Sequence, residues 1–224
     1  EIRPRDWSSD VCSSDLGFLL FQVQPMLAKY ILPWFGGSAT TWIVCMLFFQ
    51  MALLAGYAYA YALSRPLPTE KQARYQIYFL AIGLALLPIT PSDMWKPAAN
   101  DDPTLRIIML LSVSIGLPYL ILSTTSPLLS RWLARLDPKL DPGRFFAASN
   151  LGSFIGLLSY PFLFERVMAT EEQTILWSWA FVVFALLFGS CAWVMMRTKT
   201  PIFTQDSSSA LISSKGPDAI WTWL

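Results

Sequence analysis

Polar side chains inside otherwise apolar stretches are the residues of this sequence best placed to do chemistry. A charged or amide group is costly in hydrocarbon, so its presence there marks a candidate site. Gln22, Pro25 and Lys29 follow one another at helical spacing and therefore lie on one helix face. Pro25 also removes a backbone donor and frees a carbonyl, as suits the wall of a cavity. Two interpretations of Lys29 stay open: its ammonium extends to the nearby membrane interface, or it binds a ligand or pairs with another ion.

Further polar residues are candidates for the lining of the same cavity. Gln50 lies near the middle of a long apolar run, a hydroxyl-rich run precedes Pro127, and Asn150 lies toward the same membrane leaflet as those hydroxyls. Each has a structural alternative, since amides join helices through hydrogen bonds and hydroxyls satisfy carbonyls that prolines leave free. The candidate intramembrane polar site comprises Gln22, Gln24, Lys29, Gln50, Ser123, Thr124, Thr125, Ser126 and Asn150.

The absence of histidine from the sequence excludes several kinds of site. A Ser-His-Asp triad, a histidine general base and a histidine-ligated metal or haem all need that side chain. Cys45 and Cys191 are isolated within apolar runs, where cysteine is typically a small apolar residue. With 16 Lys+Arg against 15 Asp+Glu, no basic field favours nucleic acid. We therefore expect no catalytic residue, no cofactor, no metal and no nucleic-acid partner for this chain.

The elements that must position the polar residues are apolar helices. Hydrophobic residues make up 54% of the chain and charged residues 14%, against about 25% charged in soluble domains. A helical crossing takes about 20 residues, and apolar runs of that order recur along the chain. The predicted fold class is all-α: a polytopic transmembrane helix bundle of about six spans, and a fragment of a larger membrane domain. The spans are predicted at 17–34, 40–63, 75–89, 105–129, 145–164 and 173–196, of which the third is short.

Two sequence features predict how these spans pack and on which side of the membrane their loops lie. Gly152 and Gly156 are separated by three residues, which favours close packing against another helix. The loops on one side of the predicted bundle hold nine Lys and Arg residues, and those on the other side hold three. This bias predicts that the richer side is cytoplasmic. The protein is then a multi-pass membrane protein whose serine-rich tail is cytoplasmic.

The beginning of the chain differs in character from the rest. Residues 1–16 resemble a translated sequencing adapter, which in one reading frame encodes the DWSSDVCSSDL of residues 6–16. We therefore predict that this segment is not native, and a genuine disordered tail is the alternative. The remaining chain is predicted to divide into a helical bundle at 17–196, a cytoplasmic linker at 197–216 and the start of a further, truncated span at 217–224.

Five stretches of the chain carry a family resemblance: QPMLAKYILPWFGGSATTW, FFQMALLAGYAYAYAL, LSTTSPLLSRWLAR, ASNLGSFIGLLSYPFLFE and PDAIWTWL. In this order they resemble the membrane half of the bacterial fused major-facilitator-like/spermidine-synthase-like proteins. The resemblance implies an inner-membrane region followed by a cytoplasmic domain similar to polyamine aminopropyltransferases, with a decarboxylated S-adenosylmethionine-like donor. No residue here corresponds to that domain's donor loop or acidic polyamine-binding residues, so no catalytic residue is carried over.

Two functions are compatible with these features. The first is a transporter-like or ligand-sensing membrane domain of such a fusion protein. Its partners are the lipid bilayer, a small polar or cationic ligand and the missing C-terminal domain. The second is a passive membrane anchor or scaffold for a cytoplasmic enzyme domain. An enzyme acting on lipid or polyprenyl substrates is a weaker hypothesis, because the predicted spans hold no carboxylate or histidine to drive catalysis.

Overall fold

The computed structural model describes residues 4–97, 102–136 and 142–197, which are mostly helical and hold no strand. The all-α prediction is therefore confirmed. The predicted linker beyond Arg197 and the further span at 217–224 lie outside the described residues. The helices are α1 Pro4–Phe35, α2 Ala39–Ser64, α3 Thr69–Ala85, α4 Pro103–Leu111, α5 Leu117–Leu136, α6 Pro142–Ser159, α7 Glu165–Val167 and α8 Thr170–Arg197. Two π-helical turns, Ser112–Gly116 and Tyr160–Phe164, join α4 to α5 and α6 to α7.

Four helical segments are long and apolar enough to cross a membrane: Ala39–Ser64, Pro103–Trp132, Phe146–Val167 and Thr170–Arg197. Their surfaces carry large exposed apolar side chains, such as Ile43 of α2, Phe162 of the second π turn and Leu186 of α8. Contiguous apolar surface of this kind favours contact with lipid rather than water. The chain is therefore compatible with a membrane protein.

Helix α1 covers the first predicted span and begins earlier, at Pro4. It also includes most of the segment that resembles an adapter, and Leu16 is fully buried. α1 is not among the four segments above, because Gln22, Gln24 and Lys29 lower its apolar character. It ends at Phe35, before Gly36, whose φ of 80° lies in the left-handed region that glycine adopts without strain.

Helix α3 differs most from its predicted span at 75–89. It has 17 residues and begins at Thr69, six residues earlier than predicted. The earlier start includes Gln72, which is polar in the sequence but buried in the fold. The helix ends before Pro88, because proline lacks the N–H that the next turn would need.

Both π turns lie at prolines. Pro118 follows the first turn after one residue, and Pro161 lies inside the second. Proline cannot donate to the carbonyl one turn earlier, and a wider turn relieves the resulting mismatch. Both places lie inside spans predicted to be continuous, at 105–129 and 145–164, so these turns were not predicted.

Glycines set the distance between α1 and α6, which form the most extensive helix contact in the described chain. A Cβ placed on Gly156 would lie 2.7 Å from the backbone oxygen of Phe18, and one on Gly152 would collide with the backbone of Ser14. Gly17 of α1 likewise lies directly against Ser149 of α6. The close packing predicted from Gly152 and Gly156 is confirmed.

An aromatic ladder along α8 forms the centre of the core. Trp177, Phe181, Phe184 and Phe188 share one face of the helix, and neighbouring ring centroids lie 5.5 to 6.0 Å apart. Trp132 of α5 stacks on Phe188 at 5.8 Å and 12°. Both indoles are anchored to other helices, since Trp177 Nε1 donates to the Leu19 carbonyl and Trp132 Nε1 donates to Gln72 Oε1. Ring stacking of this kind stabilises a core beyond its buried area.

Candidate ligand pocket

Lys29 of α1 forms an ion pair with Glu165, the first residue of α7. The Lys29 Nζ and Glu165 Oε1 atoms are 3.2 Å apart, and the side chains are 36% and 44% exposed. A pair so exposed contributes about 0–1 kcal/mol to stability in water. Its main effect is therefore to fix two opposite charges at a defined place on the surface of the bundle.

A pocket of about 610 Å³ lies beside this ion pair, between α1, α2, α6 and the second π turn. This volume is within the range of about 300–1,000 Å³ typical of small-molecule sites. The wall is mainly apolar and includes Leu32, Phe154, Leu157 and Leu158. The residues that line it include Pro25, Lys29, Trp42, Tyr160, Pro161 and Glu165.

Tyr160 adds an unsatisfied polar group to the pocket. Its side chain is only 5% exposed, and its buried hydroxyl has no hydrogen-bond partner within the described part of the chain. A buried hydroxyl without a partner costs about 1–3 kcal/mol, so Tyr160 leaves one hydrogen-bonding group unsatisfied in the wall of the pocket.

The local fold explains why these groups meet. Tyr160 begins the second π turn and Glu165 follows its last residue, so the turn determines the direction of both side chains. π turns inserted in helices frequently occur at functional sites. Pro25 and Lys29 lie four residues apart on α1 and both face the pocket.

The hydroxyl run of α5 is buried away from this pocket. Ser123 Oγ donates to the Leu120 carbonyl at 2.8 Å, and the Thr124 and Thr125 hydroxyls donate to the Ile121 carbonyl at 2.7 and 2.9 Å. Ser126 is half-buried. These bonds hold the hydroxyls within α5, but their acceptors do not include the Ser123 carbonyl, four residues before Pro127, which that proline leaves free.

The two glutamines of α1 are held by contacts outside the pocket. Gln22 is buried in the core at 6% exposure. Gln24 donates to the Tyr119 hydroxyl of α5 at 3.1 Å and to the Leu20 carbonyl at 3.3 Å. Gln24 therefore joins α1 to α5, and neither glutamine is among the residues that line the pocket.

Gln50 and Asn150 are exposed side chains of α2 and α6. Neither lines the pocket. The structure thus places Lys29 in the pocket wall and does not bring the other eight predicted site residues to it.

A second polar cluster joins the ends of α2, α3 and α5. The Gln72 amide donates to the Leu67 carbonyl at 2.6 Å and accepts from Trp132 Nε1 at 3.1 Å, and Arg131 bonds the Ser64 hydroxyl. One turn along α3, Gln76 donates to the Thr124 hydroxyl at 2.7 Å, while its Oε1 is buried without a partner in the described chain. This cluster holds helices together and borders no described pocket.

The described residues contain no group of three or more His, Cys, Asp or Glu side chains able to hold a metal ion. No family model, no curated protein and no solved structure matches this chain.

One side of the pocket was predictable from the sequence and the other was not. Helical spacing places Pro25 and Lys29 on one face of α1, whereas no role was predicted for Tyr160 or Glu165. The useful signal was Glu165 itself, an acidic residue directly after an apolar span and a charge complement to Lys29. These two residues are far apart in the sequence, so their contact depends on how α1 packs on α6.

Proposed function

We propose that this chain is a membrane-embedded, ligand-binding domain of the transporter-like or ligand-sensing kind. In the proposed arrangement all six helical segments cross a bacterial inner membrane, including α1 and α3. The intact protein would continue into an aminopropyltransferase-like domain, as the family resemblance implies. The four segments long and apolar enough to span a membrane support this proposal.

The observation that carries the proposal is the Lys29–Glu165 ion pair beside one apolar pocket, whose wall also holds the Tyr160 hydroxyl, buried without a partner within the described residues. A passive anchor has no need of such groups, because a uniformly apolar surface enters a bilayer with a lower free-energy cost than one that carries ionisable groups. Lys29 lies inside the predicted first span, where an ionisable side chain favours a role in binding or transport.

Filling the pocket should abolish ligand binding without unfolding the chain. Leu157 lines the pocket and is 54% exposed, so a tryptophan there occupies the cavity without entering the core. We expect Leu157→Trp to lose the ligand-induced rise in melting temperature. In the wild type, a ligand at 100 times its Kd adds about 2.7 kcal/mol to the free energy of unfolding. The measurement is thermal unfolding of the purified chain in detergent with spermidine and with anionic, cationic, zwitterionic and uncharged amphiphiles.

The matched control is Leu186→Trp, because Leu186 is exposed on α8 and is not among the pocket residues. This variant should respond to ligands as the wild type does. If no compound shifts the wild type more than Leu157→Trp, the binding proposal is wrong and the anchor alternative is favoured.

The proposed orientation gives a separate test. In a cysteine-free background, Met94→Cys lies in the loop after α3 and Pro66→Cys in the loop before it, and both positions are exposed. We expect a membrane-impermeant maleimide to label Met94→Cys in intact cells and Pro66→Cys only after permeabilisation. Labelling of both from the same side would show that α3 does not cross the membrane.

A further inference from the structure

The charges of the pocket wall limit the kind of ligand it suits. The wall offers one ammonium, on Lys29, one carboxylate, on Glu165, and one neutral hydroxyl, on Tyr160. A ligand with a net charge would pair with either the Lys29 ammonium or the Glu165 carboxylate. The other group would then have no counter-ion in the apolar wall. A ligand that carries both charges can pair with each ion at once, which avoids the cost of an unpaired charge.

The apolar part of the wall indicates that this ligand also has hydrocarbon chains. Phe154 and Leu157 line the pocket and are 61% and 54% exposed, so they extend the apolar wall onto the outer surface of α6. Both belong to Phe146–Val167, a segment long and apolar enough to cross a membrane. A bound molecule can therefore place its polar head in the pocket while its chains stay among the lipids.

We infer that the pocket binds the head group of a zwitterionic phospholipid, with its phosphate on Lys29 and its amine on Glu165. In the bound complex the Tyr160 hydroxyl, which is buried and lacks a partner within the described residues, turns toward the ligand and donates to a phosphate oxygen. A charge-assisted hydrogen bond of this type is stronger than one between neutral groups. The inference rests on the proposed function and names the ligand class of the same pocket.

The test compares lysolipids of equal chain length on the purified chain in a non-ionic detergent, with native mass spectrometry and thermal unfolding as readouts. We expect lysophosphatidylethanolamine to bind more tightly than lysophosphatidylglycerol, a trimethylammonium amphiphile or a monoacylglycerol. Tyr160→Phe and Glu165→Gln should each weaken its binding about tenfold, as expected for a lost hydrogen bond to a charged group. Glu70→Gln removes the exposed ion pair with Arg74, which is outside this pocket, and should leave binding unchanged.

Three results would overturn the inference, and they separate it from the proposed function. Equal or tighter binding of a singly charged or uncharged amphiphile, lost in Leu157→Trp, would reject the zwitterion while keeping the ligand pocket. Equally tight binding of glycerophosphoethanolamine, which has no chains, would reject the lipid in favour of a soluble zwitterion. If no ligand affects the wild type more than Leu157→Trp, both the zwitterionic-lipid inference and the proposed function are wrong. Should Tyr160→Phe not fold, Glu165→Gln and Leu157→Trp test the same prediction.

Discussion

Replacing Gly156 with leucine is expected to destabilise the bundle by about 3 kcal/mol, through overpacking at the α1–α6 contact. Even the Cβ atom would lie 2.7 Å from the Phe18 backbone oxygen and 3.1 Å from its Cα. Neither atom can rotate away as the end of a side chain would, so the helices must separate. Reversible unfolding in mixed micelles measures the free-energy change.

Two alanine variants refine this prediction. Gly156→Ala should destabilise in the same direction but by less, because only the Cβ is added. Gly189→Ala of α8 is the matched control, since the nearest atom to its added Cβ is a side-chain carbon of Leu80 at 4.0 Å. This control should stay within about 0.5 kcal/mol of the wild type. An unchanged unfolding free energy for Gly156→Leu would mean that α1 and α6 do not pack as described.

Replacing Gln72 with leucine is expected to cost about 2 kcal/mol, because it leaves buried groups of other residues without partners. The Trp132 indole N–H loses its acceptor, and the Leu67 carbonyl loses the 2.6 Å bond from the Gln72 amide. Both glutamines of α3 are buried, with Gln72 1% and Gln76 0% exposed. The measurement is again the free energy of unfolding in mixed micelles.

Gln76→Leu is the matched comparison and should cost less than half as much. Its Oε1 already lacks a partner in the described chain, so the substitution removes one unsatisfied acceptor together with one hydrogen bond to Thr124. The Thr124 hydroxyl keeps its bond to the Ile121 carbonyl. A double-mutant cycle of Gln72→Leu with Trp132→Phe isolates the side-chain pair. Equal costs for the two glutamine variants would contradict the described hydrogen bonds.

Much of the helical architecture was predictable because apolar length is a local property of the sequence. The second span illustrates this, since it was predicted at 40–63 and the helix runs Ala39–Ser64. The third span was placed too late because Gln72 looks like a surface residue, whereas its partner Trp132 comes from a distant helix. Hydrogen bonds between helices are a property of tertiary packing, which hydropathy does not contain.

The candidate site was less predictable for the same reason. Helical spacing placed Pro25 and Lys29 on one face, and both line the pocket. Nothing in the spacing linked them to Tyr160 or Glu165, whose positions depend on a π turn and on the packing of α6 against α1. The hydroxyls of Ser123, Thr124 and Thr125 bond carbonyls of their own helix, but not the Ser123 carbonyl that Pro127 leaves free.

The aromatic ladder of α8 gives this protein an internal optical probe. Trp177 and Trp132 lie at its two ends, each stacked on a phenylalanine and each held by a hydrogen bond to a different helix. Indoles fixed in a chiral environment produce near-ultraviolet circular dichroism, which disappears when tertiary packing is lost and helices remain. The Trp177 signal follows the contact of α8 with α1, and the Trp132 signal follows the contact of α5 with α3. Removing one indole at a time therefore leaves the circular dichroism signal of the other, which reports the loss of packing at its own end of the bundle.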